Sequence, residues 1–207
     1  MTNKSGDILV AGGGKVGDRA VETLGGRVGA VIDLDPDPKL ARHGADLVVG
    51  AAEKMLDQVL AQGEFKWLVP AAPGHLVAEW LSETAGGEAV DFPGQYLPTL
   101  PFALAAGKGR FYLSLADFAC PPGCPEPADK CTHTGQPRGE DLFRRLAGIE
   151  APGWRVASLR SRQLAPGLGG VLVADIIELR RQVAEIAGPW LVCLSCRCHG
   201  AVQALSF

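Results

Sequence analysis

An apolar run, Ile8–Ala11, leads directly into Gly12-Gly13-Gly14-Lys15-Val16-Gly17, and apolar residues then recur at Val16, Ala20 and Leu24. A short strand, a glycine turn and a helical period make one βα unit. The G-x-G-x-x-G spacing narrows it further. The first glycine permits the tight turn, the second lets the backbone approach a pyrophosphate, and the third lets helix pack on strand. The first N–H groups of the helix then face an anion. Asp33 ends the second apolar run, Val28–Asp33. A carboxylate there can accept hydrogen bonds from ribose hydroxyls and repels a 2′-phosphate. Gly12, Gly14, Lys15, Val16, Gly17 and Asp33 are therefore the expected cofactor-binding residues. NAD(H) is expected over NADP(H).

The rhythm continues. Leu47–Val49 and Trp67–Pro70 read as strands three and four, and a helix is expected through Val77, Trp80 and Leu81. Near-continuous apolar strands fit a parallel sheet covered on both faces. From Val90 to Gly109 prolines and glycines mark a connection between halves. Strands are then expected over Arg110–Leu115, Trp154–Leu159 and Pro189–Leu194. Helices are expected around Leu142–Ile149 and Ile176–Ile186, a flexible loop at Gly167–Gly170, and a short closing helix. The expected fold is α/β, a Rossmann-like doubly wound, mostly parallel sheet. The expected organisation is one domain of 207 residues in two halves, 1–88 carrying the nucleotide and 108–207 carrying the cysteines.

Residues Ile8 to Pro36, with Gly44–Gly50 after them, resemble the nucleotide-binding domain of the TrkA/RCK family, which regulates potassium transport. That resemblance covers about the first 70 residues and implies a nucleotide-responsive regulator, with a homodimer as its assembly. The family's usual Gly-Asp-Ala is Gly50-Ala51-Ala52 here, and strand four ends on Pro70-Ala71-Ala72-Pro73 rather than a threonine-containing turn. The glycine loop also resembles that of precorrin-2 dehydrogenase. The whole chain resembles an uncharacterised bacterial family bearing the same cysteine clusters.

Those clusters hold the rest of the chemistry. Cys120, Cys124 and Cys131 follow one expected strand, and Cys196 and Cys198 follow another. The formal net charge of −3 argues against nucleic acid. No run reaches the length of a membrane span, and the first residues lack a signal peptide's apolar stretch. The expected compartment is the cytoplasm, where thiols stay reduced and clustered cysteines bind metal. The candidate ligands are Cys120, Cys124, Cys131 and one of Cys196 or Cys198, for zinc or an iron–sulfur cluster. His133 and His199 are alternative ligands, and Cys193, inside an apolar run, reads as core. His75 sits in the turn after strand four, where an acid–base group can act or a solvated residue can rest. Arg138, Arg160 and Arg162 are candidate anion binders. No nucleophile–base pair is recognisable, so three functions compete: a nucleotide-dependent oxidoreductase, a nucleotide or metal sensor, and a zinc-stabilised scaffold.

Overall fold

The apolar runs of the first seventy residues become four parallel strands, β1 (Ile8–Ala11), β2 (Val28–Asp33), β3 (Asp46–Val49) and β4 (Trp67–Pro70). The computed structural model describes residues 6–62 and 64–207, so most of the N-terminal segment read as lacking a signal peptide's apolar stretch lies outside the described residues. Helices α1 (Lys15–Leu24), α2 (Ala52–Gln62) and α3 (Leu76–Ala85) connect or follow these strands. The chain then forms β5 (Glu88–Ala89), β6 (Phe102–Ala105) and β7 (Arg110–Ser114), helix α4 (Leu142–Ala147), and β8 (Arg155–Arg160), β9 (Arg162–Ala165) and β10 (Leu168–Leu172). Helix α5 (Val173–Glu185), β11 (Pro189–Ser195) and β12 (His199–Ser206) complete it.

The strands form two mixed sheets, ordered β3-β2-β1-β4-β10-β9 and β6-β7-β12-β11-β8. This corrects the expected mostly parallel sheet. Parallel pairing needs a crossover, and the βα rhythm supplies crossovers only as far as β4. Beyond it the chain turns back in hairpins. β10 runs antiparallel to β4, with Val171 opposite Leu68, and β9 pairs back on β10. In the second sheet only β8 and β11 are parallel. Gly167–Gly170, expected as a loop, is largely the start of β10, and the expected closing helix is β12.

Five layers result. α1 covers one face of the first sheet over Val10, Val21, Leu40 and Leu168. α4 covers the far face of the second over Leu113, Leu146, Leu191 and Cys193. Between the sheets α2, α3 and α5 share one core with both, through Leu9, Leu56, Trp80, Ile176, Val192 and Leu205. Trp80, fully buried, donates its indole N–H to Asp57 at 2.9 Å. Arg180 pairs with the same carboxylate at 2.6 Å and lies over the Trp80 ring, tying the three helices together.

His75 pins this middle layer to the second sheet. Its Nδ1 accepts the Ala78 N–H at 3.3 Å and caps α3, so Nε2 carries the proton and donates to the Val192 carbonyl of β11 at 3.2 Å. The ring is 2% exposed, so neither the catalytic nor the solvated reading of the sequence describes it. Burial lowers the imidazole from 6.5 to about 4. Between those values the unfolded chain binds the proton and the folded chain does not. Stability is therefore complete above about pH 6.5 and falls by about 3 kcal/mol as pH drops to about 4. Urea titrations at pH 7 and pH 5 check this. His75→Asn keeps a capping side chain and loses the titrating ring, so its pH slope over that window flattens. An unchanged slope in the variant overturns the assignment.

Candidate functional site

β7 and β11 both run antiparallel to β12, so they run in the same direction as one another, and β8 runs parallel to β11. Their C-terminal ends therefore open on one edge. The loop after β7 carries Cys120, Cys124 and Cys131, and the turn after β11 carries Cys196 and Cys198. That turn is a tight hairpin, with Ser195 opposite Gly200 and the Cys196 N–H donating to the His199 carbonyl at 2.9 Å. Its outer carbonyls are fixed by Leu115 and Leu142 N–H groups, each at 2.8 Å, and Arg197 pairs with Asp141 at 2.7 Å. The first loop is folded around its own small hairpin, with Lys130 bridged to Pro137.

Two neighbouring cavities result. The smaller, about 320 Å³, is lined by Cys120, Cys124, Cys131 and Cys198 together with His133 and Arg138. The larger, about 710 Å³, is lined by Cys120, Cys124, Cys196 and Cys198 and reaches Val16 and Arg19 on α1 and Pro70 at the end of β4. Cys120, Cys124 and Cys198 form the shared wall. All six cysteines are free thiols. Among the described residues no three His, Cys, Asp or Glu side chains stand close enough to hold an ion as they are. The four thiols of the smaller cavity nevertheless lie within range of one another's charge. Burial first, then Cys198, Cys124 and Cys131, raise the Cys120 thiol. Arg138 donates through Nη1 to the Cys198 sulfur. It opposes the burial that raises that thiol.

Two turns direct backbone N–H groups at a cysteine sulfur. Cys131-Thr132-His133-Thr134-Gly135 and Cys196-Arg197-Cys198-His199-Gly200 share a C-x-x-x-G pattern. In the first, the Thr134 N–H and hydroxyl and the His133 N–H lower the Cys131 thiol. In the second, the Cys198 and His199 N–H groups point at the Cys196 sulfur at 3.4 and 3.3 Å. Converging backbone N–H groups of this kind favour an anion. Around Cys196 burial, followed by the Glu126 carboxylate, outweighs them and pushes the thiol up to about 12. Glu126 has a left-handed backbone, φ 49°, and accepts the Arg197 N–H at 2.5 Å. A non-glycine residue rarely adopts that conformation. The sequence held no signal for Glu126, because αL placement is a property of the folded loop.

The glycine loop lies between β1 and α1. Gly12 has φ 109°, and a Cβ on it would strike the Ala71–Ala72 backbone. A Cβ on Gly17 would overlap the Gly12 carbonyl oxygen, whereas one on Gly14 would meet nothing within 4 Å. Asp33 accepts the Gly13 N–H at 2.5 Å and the Asp35 N–H at 3.0 Å. Each carboxylate oxygen therefore already holds one loop amide. Of the residues expected to bind cofactor, Val16 also lines the larger cavity. Arg19, which the sequence did not single out, bridges from α1 to the Pro122 carbonyl at 2.8 Å and to the Gly167 carbonyl.

The remaining sequence candidates divide. Cys193 is fully buried in β11, and burial raises its thiol. His133 rests against the Phe118 ring at 4.5 Å, and His199 Nδ1 is 3.9 Å from the Cys196 sulfur. Arg160 lies over the Phe143 ring at 4.3 Å, which accounts for it without a substrate. Arg162 is exposed on β9.

Fold and site together define a mixed α/β protein whose second sheet gathers cysteines at one edge. The chain belongs to the family whose model, described as "Uncharacterized protein, C-terminal domain", matches residues 67–207. It is also 31% identical over 218 residues to an uncharacterized protein of Archaeoglobus fulgidus, covering 96% of this chain and 98% of that protein. No solved structure matches. These findings correct the TrkA/RCK resemblance. The matching family is a different one, its domain begins at β4, and the relative aligns over nearly the whole chain without a potassium-transport name. That relative is archaeal. Among the described residues no helix is long and apolar enough to cross a membrane.

Proposed function

We propose that this is a cysteine-ligated metalloprotein, with zinc or an iron–sulfur cluster held by Cys120, Cys124, Cys131 and Cys198, and NAD(H) on the glycine loop. One observation carries the reading: four thiols from loops more than sixty residues apart line a single small cavity. Thiolates are the ligands these metals select. The free thiols stand apart, so binding has to draw them inward, as metal binding commonly completes local folding. Cys198 is a better fourth ligand than Cys196, because Cys196 lines the larger cavity instead. The Arg138 guanidinium offsets part of the negative charge that four thiolates would gather.

Support for the nucleotide comes from the parallel order β3-β2-β1-β4, which resembles half of a Rossmann sheet. α1 opens at Gly14 with unserved N–H groups, and the space above Gly14 is open. The larger cavity runs from α1 to the cysteine edge, so a redox partner there would reach both. This favours an oxidoreductase over a sensor or a scaffold.

Anaerobic purification followed by metal analysis and a visible spectrum tests the reading. A brown protein absorbing broadly near roughly 400 nm indicates an iron–sulfur cluster. A colourless protein with one zinc per chain indicates a Lewis-acid or structural site. Protein free of metal, with the four thiols rapidly alkylated, sinks the proposal.

A further inference from the structure

β6 ends the second sheet, and its outer edge has no partner strand among the described residues. All of Phe102-Ala103-Leu104-Ala105 is exposed, Phe102 by 43% and Leu104 by 51%. No charged residue stands between Asp91 and Lys108. The other end strands differ: β3 has Asp46, β9 has Arg162, and β8 has Arg155 and Arg160. Charge on an end strand keeps it from pairing with another molecule, because the charge would have to be desolvated. Among these end strands only β6 lacks that protection.

The register shows which backbone groups are free. The Ala106 N–H donates to the Arg110 carbonyl at 2.9 Å, and Leu104 and Phe102 stand opposite Tyr112 and Ser114 in the same register. Hydrogen-bonded pairs alternate along an antiparallel ladder. Phe102, Leu104 and Ala106 therefore bond to β7, whereas Ala103 and Ala105 turn their N–H and C=O groups outward. Pro101 shares the outward register and has no N–H, so it ends the free edge.

We propose that β6 pairs antiparallel with β6 of a second copy of this chain, about a two-fold axis at Leu104. Ala103 then stands opposite Ala105 of the second copy, and Ala105 opposite its Ala103. Each such pair exchanges both of its N–H···O=C bonds, which serves every outward group of the two alanines. Leu104 meets Leu104 of the second copy in a non-hydrogen-bonded pair, the closer kind, with Cα atoms about 4.5 Å apart. Phe102 lies on the same face two residues away and reaches across diagonally. Both exposed large apolar side chains of the strand are thereby covered. The occupant is a copy of this chain because an uncharged edge meets itself across a two-fold without setting like charges opposite. Phe102 also lines the larger cavity, so the seam borders that cavity in both copies. No cysteine and no glycine-loop residue takes part, so the pairing stands whichever ligands those sites hold.

Sedimentation velocity over a concentration series tests it. So short a seam belongs with the small, transient interfaces, and wild type passes from monomer to dimer between about 1 and 100 µM. Leu104→Lys sets like charges opposite one another on the axis and weakens the dimer at least about tenfold. Ala103→Pro removes an N–H that β6 does not give to β7, so the ladder within the chain is kept while the dimer weakens. Val49→Lys, at an exposed position on β3, leaves association unchanged. Circular dichroism of each variant confirms the fold, and Leu104→Lys, on a half-exposed side chain, carries the test if Ala103→Pro does not fold. Wild type that stays monomeric throughout, a dimer as tight in Leu104→Lys as in wild type, or one weakened equally by Val49→Lys overturns the proposal.

Discussion

Cys198→Ser protein, purified anaerobically, retains less than about a tenth of the wild-type metal, while Cys196→Ser retains nearly all of it. The two residues stand two positions apart on a hairpin turn, and only Cys198 reaches the smaller cavity. Cys198 lies in the smaller cavity with Cys120, Cys124 and Cys131. Cys196 lies only in the larger one, its sulfur held by two N–H groups and 3.9 Å from His199. Structural zinc contributes about 10–16 kcal/mol to a folded site, so an even share among four thiolates is roughly 3 kcal/mol, or about 100-fold in affinity. A serine hydroxyl does not replace that share, because it remains protonated and hard where a soft thiolate is required. Metal analysis of both variants, with Cys193→Ser as a control in the buried strand, decides the point. If Cys196→Ser is the variant that loses metal, the ligand set runs through the larger cavity and the assignment is wrong. If both keep it, neither hairpin cysteine is a ligand.

The sequence made the first four strands legible because each is a short apolar run flanked by turn residues, and in β1 and β2 burial on both faces writes itself as continuous hydrophobicity. It did not make β12 legible. His199-Gly-Ala-Val-Gln-Ala-Leu-Ser206 mixes small and helix-tolerant residues, and it becomes a strand through pairing with β11 on one side and β7 on the other. Such pairing is a tertiary effect that overrides weak local preference. β10 was hidden for a related reason. Gly169 and Gly170 read as flexible, but side chains there would meet Ser161 and Leu164, so the glycines permit close strand approach. Strand direction was beyond local reading, and with it the mixed sheets.

The site was legible in part. Cysteines placed just past strand ends carried the inference that both clusters share an edge, and that geometry survives the change of topology. It does so because β7 and β11 are each antiparallel to the intervening β12. The choice of Cys198 over Cys196 was not legible, since which of the two reaches the smaller cavity is set only once the hairpin exists.

Gly14→Val abolishes NAD(H) binding and leaves the fold intact, whereas Gly17→Ala damages the fold itself. The two glycines belong to one motif but answer to different demands. At Gly17 an added Cβ would overlap the Gly12 carbonyl oxygen, a backbone atom that cannot swing aside. Overpacking against backbone costs roughly 1–3 kcal/mol or more, so the melting temperature of Gly17→Ala falls by several degrees. At Gly14 the added atoms meet nothing within 4 Å, and the backbone, at φ −63°, suits any residue. The fold therefore gives no reason for glycine there, and a ligand approaching the α1 N-terminus does. A valine at Gly14 occupies the space through which a pyrophosphate would reach those N–H groups. Isothermal titration with NADH, beside thermal melts of both variants, separates the two demands. Undiminished NADH binding by a stable Gly14→Val protein would show that the loop is a structural turn and nothing more.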